Sequence, residues 1–140
     1  MVWDDGIINW LRRDEPEHLR RGRLGERAAN RHLRKAGLKF LYANFQGKQG
    51  EIDLIFREKE ILVFVEVKTR SSEAWRRPAA AVNRDKQRKI VATARDYLRL
   101  LEQRSDIPVR YDIVEVLLEE GRVNETRHQP NAFAPARKSR

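Results

Sequence analysis

Two apolar runs joined by a charged turn constrain the fold of this chain more than any other feature. Residues 52–56 and 61–67 have the length and the β-branched composition of strands, and all four residues of the turn 57–60 are charged. The pattern predicts a β-hairpin. Because side chains alternate between the two faces of a strand, Glu66 and Lys68 are expected to share one face.

Three charged side chains, Asp53, Glu66 and Lys68, interrupt or follow these apolar runs. One interpretation is structural: Lys68 pairs with an acid, and Asp53 faces solvent on the wet side of an antiparallel sheet. The other is a metal site, since charges in apolar segments are costly unless paired or metal-bound, and neighbouring carboxylates repel unless a cation separates them. If the hairpin register brings Asp53 beside Glu66, we expect the pair to bind Mg²⁺, with Mn²⁺ as a substitute.

The order Asp53, Glu66, Lys68 resembles the D-x(n)-E-x-K core of the PD-(D/E)XK nuclease superfamily. The longer strings G-E-I-D-L-I and F-V-E-V-K-T-R, preceded by G-E-R-A-A at residues 25–29, resemble the YraN-type family of predicted endonucleases, which is similar to archaeal Holliday-junction resolvases. The resemblance covers residues 22–116. It implies a restriction-endonuclease-like core and metal-dependent hydrolysis of phosphodiester bonds in branched or single-stranded DNA, in repair or recombination.

The resemblance also implies roles for individual residues. It makes Asp53, Glu66 and Glu26 the metal ligands, with the Val67 carbonyl beside them, and it gives Lys68 the task of orienting the attacking water; the expected catalytic set is Asp53, Glu66, Lys68 and Glu26. Glu26 lies in a predicted helix, residues 25–36, on the side that carries the apolar stripe of that helix. A glutamate that interacts with the helix dipole in the first turn is the structural alternative.

A set of basic and polar residues around this site is expected to contact nucleic acid. These residues lie in a glycine-containing loop before Asp53, directly after Lys68, beside Trp75, and in the first turns of a predicted helix from about residue 84 to residue 103: Lys48, Arg70, Arg76, Arg77, Lys86, Gln87 and Lys89. A solvated surface is the alternative for each of them. Arg76 and Arg77 occupy a loop in which the family usually has a glycine.

Composition narrows the partners and the location. The formal charge of +9 favours an anionic partner, nucleic acid before a membrane surface. The chain has no cysteine, which excludes disulfides and thiolate zinc sites. No apolar run reaches membrane-spanning length, and the acidic start does not resemble a signal peptide. We therefore expect a cytoplasmic protein that binds DNA and no membrane. Resolvase relatives are dimers, so a homodimer is an alternative to a monomer.

The chain length of 140 residues fits one domain. The predicted order of helix, about three strands, helix and strand indicates an α/β fold with a mixed central β-sheet flanked by helices. We assign residues 22–128 to the nuclease-like domain and residues 129–140 to a basic flexible tail, after a last short strand that ends before Pro130. Residues 1–21 are an N-terminal extension, either a docking helix or a partly ordered segment.

Two other functions share the basic surface. One is a non-catalytic, structure-specific nucleic-acid-binding module with a nuclease fold. The other is a basic protein that binds structured RNA, which would not explain acids within apolar strands.

Overall fold

The computed structural model describes residues 15–72, 82–101 and 106–135. Its elements, in chain order, are helix α1 (Glu17–Lys35), strands β1 (Lys39–Gln46), β2 (Glu51–Glu58) and β3 (Ile61–Arg70), helix α2 (Arg84–Leu100), and strands β4 (Val109–Glu119) and β5 (Arg122–Phe133). Neither of these two helices of the described chain is long and apolar enough to cross a lipid bilayer.

The five strands form one sheet in the order β1-β2-β3-β4-β5. Strands β3 and β4 run parallel, and every other neighbouring pair is antiparallel. A parallel pair needs a crossover connection, and the connection between β3 and β4 contains α2. The predicted fold class, α/β with a mixed central β-sheet flanked by helices, is confirmed, and it is consistent with a restriction-endonuclease-like core.

Each helix covers one face of the sheet. Ala29 and Leu33 of α1 are fully buried among the strand residues of the first face. Ile90 and Ala94 of α2 belong to a second cluster on the opposite face. The helical spacing of these residues predicts both contacts, because positions four apart lie on the same side of a helix.

The predicted hairpin is present, with Leu54 paired to Val65 and Ile55 paired to Phe64. Its strands are longer than predicted, because pairing continues to Glu58 and Ile61 and leaves only residues 59–60 in the turn.

The predicted domain boundaries differ from the observed elements at both ends. The boundary at residue 21 falls inside α1, which begins at Glu17. Residues 129–133, predicted as part of a flexible tail, form the end of β5. Two contacts hold them there: the Asn131 N–H donates to Asp112 Oδ1 at 2.9 Å, and the ring of Phe133 stacks on Tyr111 at 5.2 Å. Pro130 is tolerated because β5 is an edge strand. Residues 1–14, where a docking helix was one alternative, and residues 136–140 lie outside the described residues.

Candidate active site

The hairpin brings Asp53 and Glu66 together. Leu54 pairs with Val65, and Asp53 and Glu66 are the next residues of the two strands. Their carboxyl groups meet and share a hydrogen bond. The Asp53 Oδ2 atom also accepts a hydrogen bond of 2.8 Å from the Val67 N–H. The observed register of the hairpin is therefore the one that the predicted site requires.

Burial raises the pKa of both acids of this pair. Burial, followed by the negative charge of Glu66, raises the pKa of Asp53 to about 7. Burial also raises the pKa of Glu66, although the charges of Lys86 and Lys68 and the hydrogen bond with Asp53 act in the opposite direction. A shared proton near neutral pH relieves the repulsion, and a cation between the carboxylates would have the same effect.

Glu26 approaches the pair from α1. Burial, and next the charge of Asp53, raise the pKa of Glu26 to about 7. The Asn44 amide, oriented as its hydrogen bonds require, donates to Glu26 Oε2 at 3.2 Å and to Glu51 Oε1 at 2.8 Å. Glu51 also raises the pKa of both Glu26 and Asp53. Neither Asn44 nor Glu51 carries a sequence signal that predicts a place in the site. The left-handed backbone of Asn44 within a strand, with a φ of 56°, is visible only in the structure.

A close approach between α1 and β3 places Glu26. A Cβ atom at Gly25 would overlap the Thr69 Oγ1 atom, so any larger residue would force Thr69 or the helix to move. The glycine that precedes Glu26 thus brings the first half of α1 against the strand that carries Glu66.

Two lysines accompany the acid pair. The Lys86 Nζ atom, at the start of α2, lies 3.6 Å from Glu66 Oε1. The positive charge of Lys68, which shares a face of β3 with Glu66, also favours the ionised form of Glu66. Lys86, predicted to contact nucleic acid, is therefore also an electrostatic partner of the acid pair.

Arg70 has a partner that the sequence analysis missed. Its Nε atom lies 2.6 Å from Glu115 Oε2, and the two side chains are only 15% and 2% exposed. Glu115 interrupts the apolar run of β4, which is the one sequence signal that could have identified it. The structure thus gives Arg70 a structural ion pair, while its contact with nucleic acid stays a prediction.

Three more of the predicted nucleic-acid contacts, Lys48, Gln87 and Lys89, lie on α2 or beside it. The Gln87 Nε2 atom donates to the Val82 carbonyl at 2.7 Å and so helps to close the first turn. Lys48 and Lys89 are exposed, and the Lys48 N–H donates to Asp96 Oδ2 at 3.2 Å. Arg76 and Arg77 lie outside the described residues, as does Trp75.

A bound metal would have a restricted set of ligands. The described residues contain no group of three or more histidine, cysteine or acidic side chains that could hold one ion. Glu26, Asp53 and Glu66 do not form such a group in this arrangement. The predicted metal site therefore depends on the Asp53–Glu66 pair, and Glu26 stays a predicted ligand.

The fold and the acid pair define a class of protein: a mixed α/β domain with a half-buried carboxyl pair and two lysines at one end of its central hairpin. The chain belongs to the uncharacterised protein family UPF0102, which it matches over residues 25–116. This range includes both the acid pair and the lysines.

Relatives in distant bacteria share most of the chain. The UPF0102 protein of Desulfosudis oleivorans is 41% identical over 112 residues, 80% of this chain and 88% of the relative. That of Clostridioides difficile is 37% identical over 113 residues, 81% and 96% of the two chains. That of Caldanaerobacter subterraneus is 44% identical over 114 residues, 80% and 93% of the two chains. The names of the family and of these relatives state no activity.

Proposed function

We propose that this protein is a metal-dependent endonuclease of the PD-(D/E)XK superfamily that hydrolyses phosphodiester bonds in DNA. The observation that carries the proposal is the meeting of the Asp53 and Glu66 carboxyl groups at the hairpin, with Lys68 on the same face of β3. Holding two acids together in half-buried surroundings costs folding free energy, and such a cost is characteristic of functional sites. The resemblance favours branched or single-stranded DNA as the substrate, in repair or recombination.

The donor atoms suit Mg²⁺, or Mn²⁺ in its place. Asp53 and Glu66 supply two carboxylates, within the number that Mg²⁺ usually takes from a protein, and waters and phosphate oxygens would complete the octahedron. The raised pKa of both acids indicates a place where a cation would replace a shared proton. When bound, the ion would polarise a phosphoryl oxygen and lower the pKa of the attacking water.

The side chains around the pair have distinct tasks in this proposal. The Lys68 ammonium group orients the water and stabilises the negative charge that develops on the phosphate. Glu26, whose pKa is about 7, is suited to accept a proton near neutral pH. Lys86 is 46% exposed and can turn from Glu66 to a substrate phosphate.

The substitution Asp53→Asn tests this function. It removes one carboxylate and preserves the size and the acceptor atom of the side chain, so we expect cleavage with Mg²⁺ or Mn²⁺ to fall by at least about a hundredfold while DNA binding persists. The measurement is nicking of branched, single-stranded and duplex DNA, with binding measured separately at the same salt concentration. Asp106→Asn, on an exposed residue far along the chain, is the matched control. Undiminished cleavage by the Asp53 variant would refute the mechanism.

A second candidate function is a non-catalytic nucleic-acid-binding module. The observation that favours it is the ion pair between Lys86 and Glu66, which already supplies one of the two acids with a cation. The same assays distinguish the two functions. A module would bind DNA but would not cleave any of the substrates with either metal, in the wild type as in the variant.

A further inference from the structure

Helix α2 presents cations on two opposite flanks. Side chains two positions apart on an α-helix project about 200° from each other. Lys86 and Lys89 form one flank, which we call the site-side flank. Arg84, Arg88 and Arg95 form the other, the cleft-side flank.

The site-side flank borders the acid pair. Lys86 lies 3.6 Å from Glu66, and the Lys89 side chain would be 3.7 Å from a Cβ atom at Gly50, in the loop before Asp53. That loop is attached to α2, because Asp96 accepts a hydrogen bond from the Lys48 N–H. A nucleic-acid strand that reaches the acid pair would therefore pass along this flank.

The cleft-side flank faces a separate cavity between α2 and the residues that follow β5. The cavity has a volume of about 680 Å³ and is lined by Arg84, Gln87, Arg88, Val91, Arg95, Ala134 and Pro135. Arg88 pairs with Asp85. Among the described residues, Arg84 and Arg95 form no ion pair with any carboxylate. The cavity is therefore open and positively charged, and two of its arginines have no carboxylate partner among the described residues. Such a surface is suited to bind phosphate groups.

We propose that α2 lies in the major groove of double-stranded DNA, with its two flanks against the phosphates of the two strands. This inference rests on the proposed function, because it places the strand on the site-side flank at the acid pair. An α-helix with its side chains is about 10–12 Å wide, and the major groove of B-form DNA is about 12 Å wide. The major groove of A-form RNA is too narrow to admit a helix, so the partner is a DNA duplex or a duplex arm of branched DNA.

The double variant Arg84→Gln/Arg95→Gln tests the cleft-side flank. The measurement is equilibrium binding to a short DNA duplex and to a single strand of the same sequence, at several salt concentrations and without divalent ions. For the duplex, we expect the slope of log K against log salt to become shallower by about 1.8, because each lost phosphate contact accounts for about 0.9. For the single strand, which the site-side flank alone can hold, we expect no change.

The control is Arg31→Gln/Lys35→Gln, which removes the same charge from exposed residues of α1. We expect it to leave the duplex slope unchanged. Three outcomes would overturn the inference. The α2 variant could have no effect, it could weaken binding of the duplex and of the single strand equally, or it could affect the duplex no more than the α1 control does. Double-stranded RNA bound as tightly as the DNA duplex would also overturn it. Because binding is measured without metal, the result does not depend on cleavage. The inference can therefore be supported or overturned even if the protein does not cleave DNA.

Discussion

Asp53 is more easily ionised in the unfolded chain than in the folded protein. Burial and the charge of Glu66 raise its pKa from 3.8 to about 7 in the folded state. The contribution of Asp53 to stability is therefore fully present below about pH 4 and is lost as the pH rises through 7. Above neutral pH and without metal, the ionised Asp53 carboxylate therefore destabilises the folded protein.

We predict that Asp53→Asn stabilises the metal-free protein at about pH 8. The amide has no charge to repel Glu66 and can still accept the hydrogen bond from the Val67 N–H. Since one pKa unit corresponds to about 1.4 kcal/mol, we expect a gain of about 1–3 kcal/mol in the free energy of unfolding, and a smaller gain at about pH 5. Denaturant unfolding in the presence of a chelator measures both values. A loss of stability at pH 8 would show that the carboxylate is held by favourable contacts.

At the scale of elements, the approach of α1 to β3 depends on Gly25. Alanine usually stabilises a helix interior relative to glycine by about 1 kcal/mol. Here its Cβ atom would overlap the Thr69 Oγ1 atom, so we expect Gly25→Ala to lower the free energy of unfolding by about 1–3 kcal/mol, as overpacking does, and to displace Glu26 from the acid pair.

The second substitution Thr69→Ala separates the overlap from other causes. It removes the Oγ1 atom, so we expect the double variant to recover most of the stability lost by Gly25→Ala, a non-additive result that denaturant unfolding of the two single variants and the double variant would measure. If the losses of unfolding free energy in the two single variants simply add in the double variant, the destabilisation by Gly25→Ala does not arise from contact with Thr69.

Local periodicity accounts for the elements that could be predicted from the sequence. The two apolar runs and the short charged turn within residues 52–67 are enough to bring Asp53 to Glu66, because both lie in one hairpin whose register is set by that turn. Partners that are far apart in the sequence could not be predicted. The pairing of Arg70 with Glu115 depends on the parallel register of β3 and β4, which the crossover through α2 determines.

The length of β5 was missed for a similar reason. Pro130 is a local signal that predicts the end of a strand. The strand continues because Asp112, on the neighbouring strand, accepts a hydrogen bond from the Asn131 N–H and pairs with His128. Such tertiary contacts override local propensity.

Across the whole molecule, the distribution of charge is uneven. The chain carries a formal charge of +9, yet acids gather at this site: the charges of Asp53 and Glu51 raise the pKa of Glu26, and those of Glu66 and Glu51 raise the pKa of Asp53. A basic surface attracts nucleic acid, and a local concentration of acids at the same end of the molecule would repel it. A divalent cation at the acid pair would remove this conflict. Metal binding and nucleic-acid binding are therefore expected to support each other.

Stabilisation of the whole protein by Mg²⁺ should depend on pH. The ligands must lose the proton they share before the ion binds, so we expect Mg²⁺ to raise the melting temperature at about pH 8 and to have little effect at about pH 5. At a concentration of about 100 times Kd, the added stability would be about 2.7 kcal/mol. Thermal unfolding with MgCl₂, compared with KCl of the same ionic strength, measures the stabilisation that is specific to Mg²⁺. Glu66→Gln should abolish this stabilisation, and Asp106→Asn should retain it. Equal stabilisation of the two variants would mean that Mg²⁺ binds elsewhere, and the acid pair would then require a different explanation.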